Sequence, residues 1–289
     1  MVDTDGHKLD INNDDSVLIE QILLGSRSAL ESLIGRYQGW IYNVSLKMTM
    51  DHQDAEDITQ EILIKLLTKL GTYQAEKGLF RTWLYRIVGN HVLNMKTRKY
   101  EKVFFSLEEC TAAIDQVPDE SIEGSPEQLL MIEELKIKCL TGILICLDRK
   151  HRLAFIMSDI FGVPHTEGKE VLETSAANYR KILSRARKKV NSFINQNCGL
   201  IDSANPCHCS KKLKGFIRAG FIDPSNMTFY NDQVKSISEA VRMNRGALEQ
   251  MVTPDKARDI FQHHPYYDPP NLDKQISATL QSTMISKLM

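Results

Sequence analysis

The densest chemistry in this chain is electrostatic. Tyr179–Lys189 contains Arg180, Lys181, Arg185, Arg187, Lys188 and Lys189 and no acidic residue. Six cations in eleven positions make a local field suited to phosphates, and Arg and Lys also reach guanine edges in a major groove. Asn178, just before the run, carries the amide that pairs bidentately with adenine. On charge alone, a solvated basic helix face explains the run equally well. The preceding short helix and turn favour nucleic acid, because two short helices with a basic second member form a helix-turn-helix.

A second set of reactive residues lies near the C-terminus. Cys198, Cys207, His208 and Cys209 offer the nitrogen and sulfur ligands that zinc prefers. Adjacent ligands in Cys-His-Cys strain a tetrahedral site, and no CxxC pair occurs. A packed loop is the favoured reading, then free or redox-sensitive thiols, then structural zinc with His263 and His264 as further candidates. The expectation is no metal and no cofactor. No acid, base and nucleophile set emerges, there is no phosphate-cradling glycine loop and no HExxH, and the chain reads as a non-enzyme.

The elements that must position these residues are helical. From Ser28 to Met48, apolar residues at Leu30, Leu33, Ile34, Tyr37, Ile41, Val44 and Met48 draw one stripe. Asp51 predicts the cap of a second helix with Ala55, Ile58, Ile62, Leu66 and Leu70 on one side, stopped at Gly71. A third helix is predicted over Phe80–Arg98, with Trp83, Arg86, Asn90, Asn94 and Thr97 on its outer side. Val103–Glu134 then has no Lys or Arg and nine Asp or Glu, which predicts an extended acidic linker. Helices follow over Leu129–Leu147, Arg149–Phe161 and His165–Leu172, and a last one runs from the Ser175 cap to about Asn195. Beyond it, helices are expected over Val234–Met251 and Pro254–His263, with a weak final one after Pro269 and Pro270.

The fold class is therefore all-α: two small helical domains joined by an acidic linker, plus a mainly helical extension. The 289 residues suit about two domains. A net charge of −1 excludes a uniformly basic coat but not local patches. No apolar run spans a membrane and Met1–Asp15 lacks a signal-peptide pattern, so a cytoplasmic protein without membrane insertion is expected. In that compartment the six cysteines are expected to be mostly thiols or ligands, not disulfides, with Cys139 and Cys146 as core residues.

Four stretches together resemble a known family. Asp54–Ala55–Glu56–Asp57–Ile58–Thr59–Gln60–Glu61 is similar to the start of the polymerase-binding helix of sigma-70-type factors. Phe80–Arg81–Thr82–Trp83–Leu84–Tyr85–Arg86–Ile87–Val88–Gly89–Asn90 resembles their promoter-melting segment. Ala29–Tyr37 resembles the opening helix, and Ser184–Lys189 the end of the second DNA-reading domain. The likeness covers about Gln21–Asn195, in order and with suitable spacing, and the absence of other sigma domains points to the short extracytoplasmic-function (ECF) group.

The resemblance implies a sigma factor that binds core RNA polymerase and promoter DNA, and it leaves room for an anti-sigma factor. It implies region 2 at 21–100, a linker at 101–128 and region 4 at 129–197, preceded by an arm at 1–20 and followed by an extension at 198–289 that lies outside the family pattern and is read as regulatory. Core polymerase would meet Asp54, Glu56, Asp57, Gln60 and Glu61. The minus-ten element would meet Tyr73, Arg81, Trp83, Arg86, Asn90, Lys96, Arg98 and Lys99, which supply stacking surfaces and cations for an opened strand. Phe80 is assigned to the core. The minus-thirty-five element would meet Ser175, Asn178, Tyr179, Arg180, Lys181, Ser184, Arg185, Arg187 and Lys188. The linker would enter the polymerase active-site channel.

Some positions depart from the family pattern. Aspartate is frequent near Asn94. Gly168 replaces an apolar residue, Lys169 an alanine, and Glu173 the glycine that often makes the turn. Glycine in a helix costs about 1 kcal/mol against alanine, so the second domain is expected to lean on the tail. The competing functions are an independent helix-turn-helix regulator and a metal- or redox-sensing regulator.

Overall fold

A computed structural model of the chain describes residues 11–103, 106–230, 260–262 and 264–270. The helices expected over 234–251 and after residue 270, most of that over 254–263, and the ligand candidate His263 lie outside the described residues. The architecture is all-α. Among the described residues there is no strand, only an isolated bridge between Cys198 and Cys207.

Side-chain caps set most helix starts. Helix α1 is Ile11–Leu23. In α2 (Arg27–Thr49) the Ser26 hydroxyl accepts from the Ala29 amide. In α3 (His52–Lys69) the Asp51 carboxylate accepts from the Asp54 amide at 3.0 Å. Each cap satisfies a donor the first helical turn leaves unpaired. A 3-10 turn at Leu70–Thr72 carries the chain past Gly71 toward α4 (Phe80–Asn94). Helix α6 (Pro126–Ile145) opens on a capping box of Ser125 and Gln128, with Pro126 in its first turn. Helix α7 (Arg149–Phe155) runs through a π-helical turn, Ile156–Ile160, to Gly162 at φ 65. Helices α8 (His165–Val171) and α9 (Ala176–Asn197) make the helix-turn-helix, with Ser175 capping α9.

The linker is not wholly extended. Within it α5 (Leu107–Gln116) forms on a Ser106 cap, burying Leu107 and Cys110. Ser106 and Glu109 have the spacing of a capping box, and Leu107, Cys110 and Ile114 make a short stripe. Cys110 is joined to Cys146 as a disulfide, so the expectation of thiols fails for this pair, although Cys146 is also a core residue. Past α5 the chain lies along α10 (Cys209–Arg218): Lys212 donates to the Val117 carbonyl and pairs with Asp119, and Arg218 pairs with Glu120.

One buried cluster runs without a break from α2, α3 and α4 into α6, α7 and α9. Arg152 ties these halves together. It is 2 % exposed and donates to the carbonyls of Leu144, Ile145, Leu147 and Met48 and to Glu101. Leu144, Ile145 and Met48 lie in the last turns of α6 and α2, whose carbonyls a helix cannot satisfy itself, and Leu147 lies in the turn after α6.

Gly168 also acquires a reason. A side chain there would collide with the Tyr179 ring, so the missing Cβ lets α8 sit directly on α9. Glu173 takes φ 45, the left-handed conformation for which glycine is favoured.

Candidate nucleic-acid and polymerase interface

The outward face of α9 presents Asn178, Arg180, Lys181, Ser184, Arg185 and Lys188, all exposed. Ser175 is spent as the cap, accepting from the Asn178 amide at 3.2 Å, and the Asn178 side-chain amide donates to the Thr174 hydroxyl. Two expected members are not on this face. Tyr179 is fully buried, hydrogen-bonded with Ser158 and donating to the Ala154 carbonyl; its ring fills the space left by Gly168. Arg187 makes a two-pronged pair with the buried Asp159 at 2.9–3.1 Å, which anchors α9 on the turn after α7.

Around α4, Tyr73, Phe80 and Trp83 form an aromatic group with centroids 5.4–5.8 Å apart. Phe80 is buried and the other two are half-buried. Tyr73 donates to the Gly78 carbonyl at 3.0 Å, which folds the preceding loop back on itself. The polar members of the face are engaged by α8 and the turn after it. Arg81 pairs with Glu167 at 2.7 Å. Arg86 holds Glu170 through Nε and Nη2 at 2.9 and 2.6 Å. Asn90 donates to Glu173 at 2.9 Å. Arg98 pairs with Asp54 at 2.8 Å, which joins an expected DNA contact to an expected polymerase contact. Lys96 and Lys99 are exposed. The glutamate partners escaped the sequence reading, although Glu167, Glu170 and Glu173 recur every three residues.

On α3, Asp57 and Glu61 are exposed one turn apart, with Glu56 and Gln60 half-buried beside them. Glu61 lies 3.3 Å from His91.

The described residues of the tail lie against α2 and α6, and the outward face of α9 is exposed. Glu134 of α6 accepts from the amides of Thr228, Phe229 and Tyr230. Asn43 of α2 exchanges two hydrogen bonds with the Tyr267 backbone, and Lys47 donates to the Pro265 carbonyl at 3.0 Å. His264 hydrogen-bonds with Thr141 of α6. Cys198 and Cys207 lie side by side, and burial raises the thiol pKa of Cys198, Cys207 and Cys209. Among the described residues no group of three or more His, Cys, Asp or Glu is arranged to hold a metal ion.

Burial lowers the Lys47 pKa to about 7 and also lowers those of His52 and His264, with the Lys47 charge adding to both. Between pH 7 and Lys47's ordinary 10.5, the unfolded chain binds more protons than the folded one, so stability rises with pH across that window. The histidines extend the loss below their ordinary 6.5. The melting temperature is expected to rise from pH 7 to 9, and Lys47→Met is expected to flatten that rise. A wild-type profile that is flat or falling would contradict the buried lysine.

Residues 33–101 match the family model for Sigma-70 region 2. The ECF RNA polymerase sigma factor SigE of Mycolicibacterium smegmatis is 27% identical over 173 residues, 59% of this chain and 64% of that protein, so the match spans less than two thirds of that relative. The ECF RNA polymerase sigma-E factor of Escherichia coli K12 is 25% identical over 188 residues, 62% of this chain and 94% of the relative. CnrH, solved in complex with the cytosolic domain of CnrY, aligns with a TM-score of 0.45 and 19% identity over 63% of this chain and 97% of that one, a likeness too loose to carry an argument.

Proposed function

We propose that this chain is a sigma-70-type factor of the ECF group, in keeping with its region 2 match and its ECF relatives, and that it binds core RNA polymerase and directs transcription initiation at specific promoters. The observation that carries the reading is the pairing, in one chain, of a region 2 match over residues 33–101 with the exposed cationic face of α9. In this reading α3 meets a basic surface of polymerase, α4 and the Tyr73 loop meet the opened minus-ten strand, and α9 reads the minus-thirty-five element. The chain contributes no catalysis of its own; polymerase performs the chemistry. An antagonist of the anti-sigma kind belongs to the same reading, as does a cytoplasmic location. Among the described residues no helix is long and apolar enough to cross a membrane.

The test is to mix purified chain with sigma-free core polymerase and measure co-elution, then discrete run-off start sites from a genomic promoter library. Asp57→Ala with Gln60→Ala is expected to weaken co-elution about tenfold. Trp83→Ala is expected to leave promoter binding in place and to reduce strand opening, read by permanganate reactivity of unpaired thymines. DNA binding by the chain alone, with no association with core, would replace this reading with that of an independent helix-turn-helix regulator.

A further inference from the structure

We propose that the Cys110–Cys146 disulfide is a redox-sensitive clasp on the linker. Oxidised, it pins α5 to the end of α6; reduced, it lets the acidic stretch around α5 leave the body of the protein. Its effect on polymerase rests on the sigma reading above.

Four observations converge on it. First, of the six cysteines only this pair is bonded. Cys139, Cys198, Cys207 and Cys209 are free thiols, although Cys198 and Cys207 lie side by side. In a cytoplasm, glutathione and thioredoxin keep thiols reduced, and a disulfide there usually serves catalysis or redox sensing. Second, Cys110 and Cys146 are 9 and 8 % exposed, so the bridge lies at the rim of the core, where a slight fraying of α5 opens it to a reductant. Third, little else holds α5. Leu107 and Cys110 are its buried residues and Ile114 packs beside them, while Glu108, Glu109, Ala112, Ala113 and Asp115 are exposed.

Fourth, the chain after α5 is held on α10 by contacts that can be exchanged. The Glu120 amide donates to the Lys211 carbonyl at 2.8 Å, and Val117 fills the notch left by Gly215. The Lys212–Asp119 and Arg218–Glu120 pairs each have an exposed member, and such pairs are individually weak. The Arg152 bonds run to Met48, Glu101, Leu144, Ile145 and Leu147 and to no residue of α5. The linker therefore leaves with the two halves still joined. Residues 107–123 carry six carboxylates and no Lys or Arg, so the freed stretch suits a basic surface of polymerase.

The chemistry is thiol–disulfide exchange with a dithiol. One thiolate of the dithiol attacks a bridge sulfur, the Cys110–Cys146 bond breaks, and its electron pair leaves on the other cysteine. The second thiolate attacks the mixed disulfide, closes the dithiol into its own disulfide and frees the first cysteine. Both protons of the dithiol end on Cys110 and Cys146, which gain two electrons. Exchange with a small disulfide runs the same steps in reverse.

The experiment uses the full chain, oxidised with glutathione disulfide or reduced with dithiothreitol, beside Cys110→Ser and Cys146→Ala, which lack the bridge. Cys198→Ser/Cys207→Ser controls for the other thiols and is expected to respond as wild type does. Peptide mass spectrometry is expected to find the segments around residues 110 and 146 joined in the oxidised chain and separated by dithiothreitol. Hydrogen exchange at the α5 amides is expected to quicken about tenfold on reduction and in both bridge variants, with α2–α4 and α6–α9 unchanged. The reduced chain and both variants are expected to bind sigma-free core polymerase about fivefold more tightly, because a linker available only part of the time lowers apparent affinity by that fraction. No joined peptide, a bridge that dithiothreitol leaves intact in the folded chain, or α5 exchange equal in both states overturns the clasp. Equal affinities for core in both states overturn its effect on polymerase and leave the sigma reading standing. Association with core in no form overturns the sigma reading and that effect together, while α5 exchange still decides whether the clasp operates.

Discussion

Arg152→Met is expected to lower the stability of the whole chain by about 3–5 kcal/mol, the range for removing one partner from a buried, hydrogen-bonded charge pair. The side chain is almost fully enclosed and serves four carbonyls as well as Glu101. Methionine fills similar space without a donor, so the ends of α2 and α6 are left with buried acceptors that nothing else replaces. Lysine brings one compact ammonium in place of a planar fork and is not expected to restore the arrangement. Urea unfolding followed by circular dichroism measures this; a loss below 1 kcal/mol would mean that the node is dispensable. Its other partner adds a pH signature. Burial works to raise the Glu101 pKa, but the Arg149 hydrogen bond, the Arg98 amide and the two guanidinium charges override it and hold the carboxyl down to about 2. A depressed carboxyl contributes stability that is fully present above its ordinary 4.5 and is lost as pH falls toward 2. Acid unfolding is expected in that window.

Replacing Arg180, Lys181, Arg185 and Lys188 together with glutamine is expected to weaken promoter-DNA binding by about 10²–10³-fold near 0.1 M salt. Each lost phosphate contact is also expected to flatten the dependence of log affinity on log salt by about 0.9. All four side chains are exposed on one face of α9, so folding stability is expected to stay within about 0.5 kcal/mol of wild type. Arg187→Ala should behave in the opposite way. It withdraws a two-pronged partner from a fully buried aspartate and is expected to cost on the order of 2 kcal/mol of stability. Fluorescence anisotropy at several salt concentrations, with thermal melts of the same samples, separates the two classes. An unchanged salt slope in the quadruple variant would remove α9 from the DNA interface.

The contrast between Arg187 and its neighbours marks the limit of sequence reading on this helix. A run of cations predicts a charged helix, but the outward side is decided by what packs beneath it. Asp159 lies 28 residues away on another element, and no periodicity of α9 announces it. Tyr179 is the same case: its hydroxyl suits a DNA contact by type, and the pocket made by Gly168, Ser158 and Ala154 takes it inward. The linker shows a different limit. Its acidic composition suggested an extended chain, and the local Ser106 cap and apolar stripe prevailed over α5 because a packing surface was available there.

The sequence by itself determined the principal helices from α2 to α9 except α5, the caps at Asp51 and Ser175, the all-α class and the order of stretches that resemble the sigma-70 family. Those properties are local: a Ser or Asp at an N-cap, an apolar residue every three or four positions, a cluster of cations. Only the tertiary structure decided that α8 rests on α4, that Glu167, Glu170 and Glu173 engage Arg81, Arg86 and Asn90, and that the tail clasps α2 and α6. These contacts join residues more than eighty positions apart. They arise where hydrophobic faces brought together by burial leave polar groups that must find partners, and the identity of those partners is a property of the packed chain rather than of any segment in it.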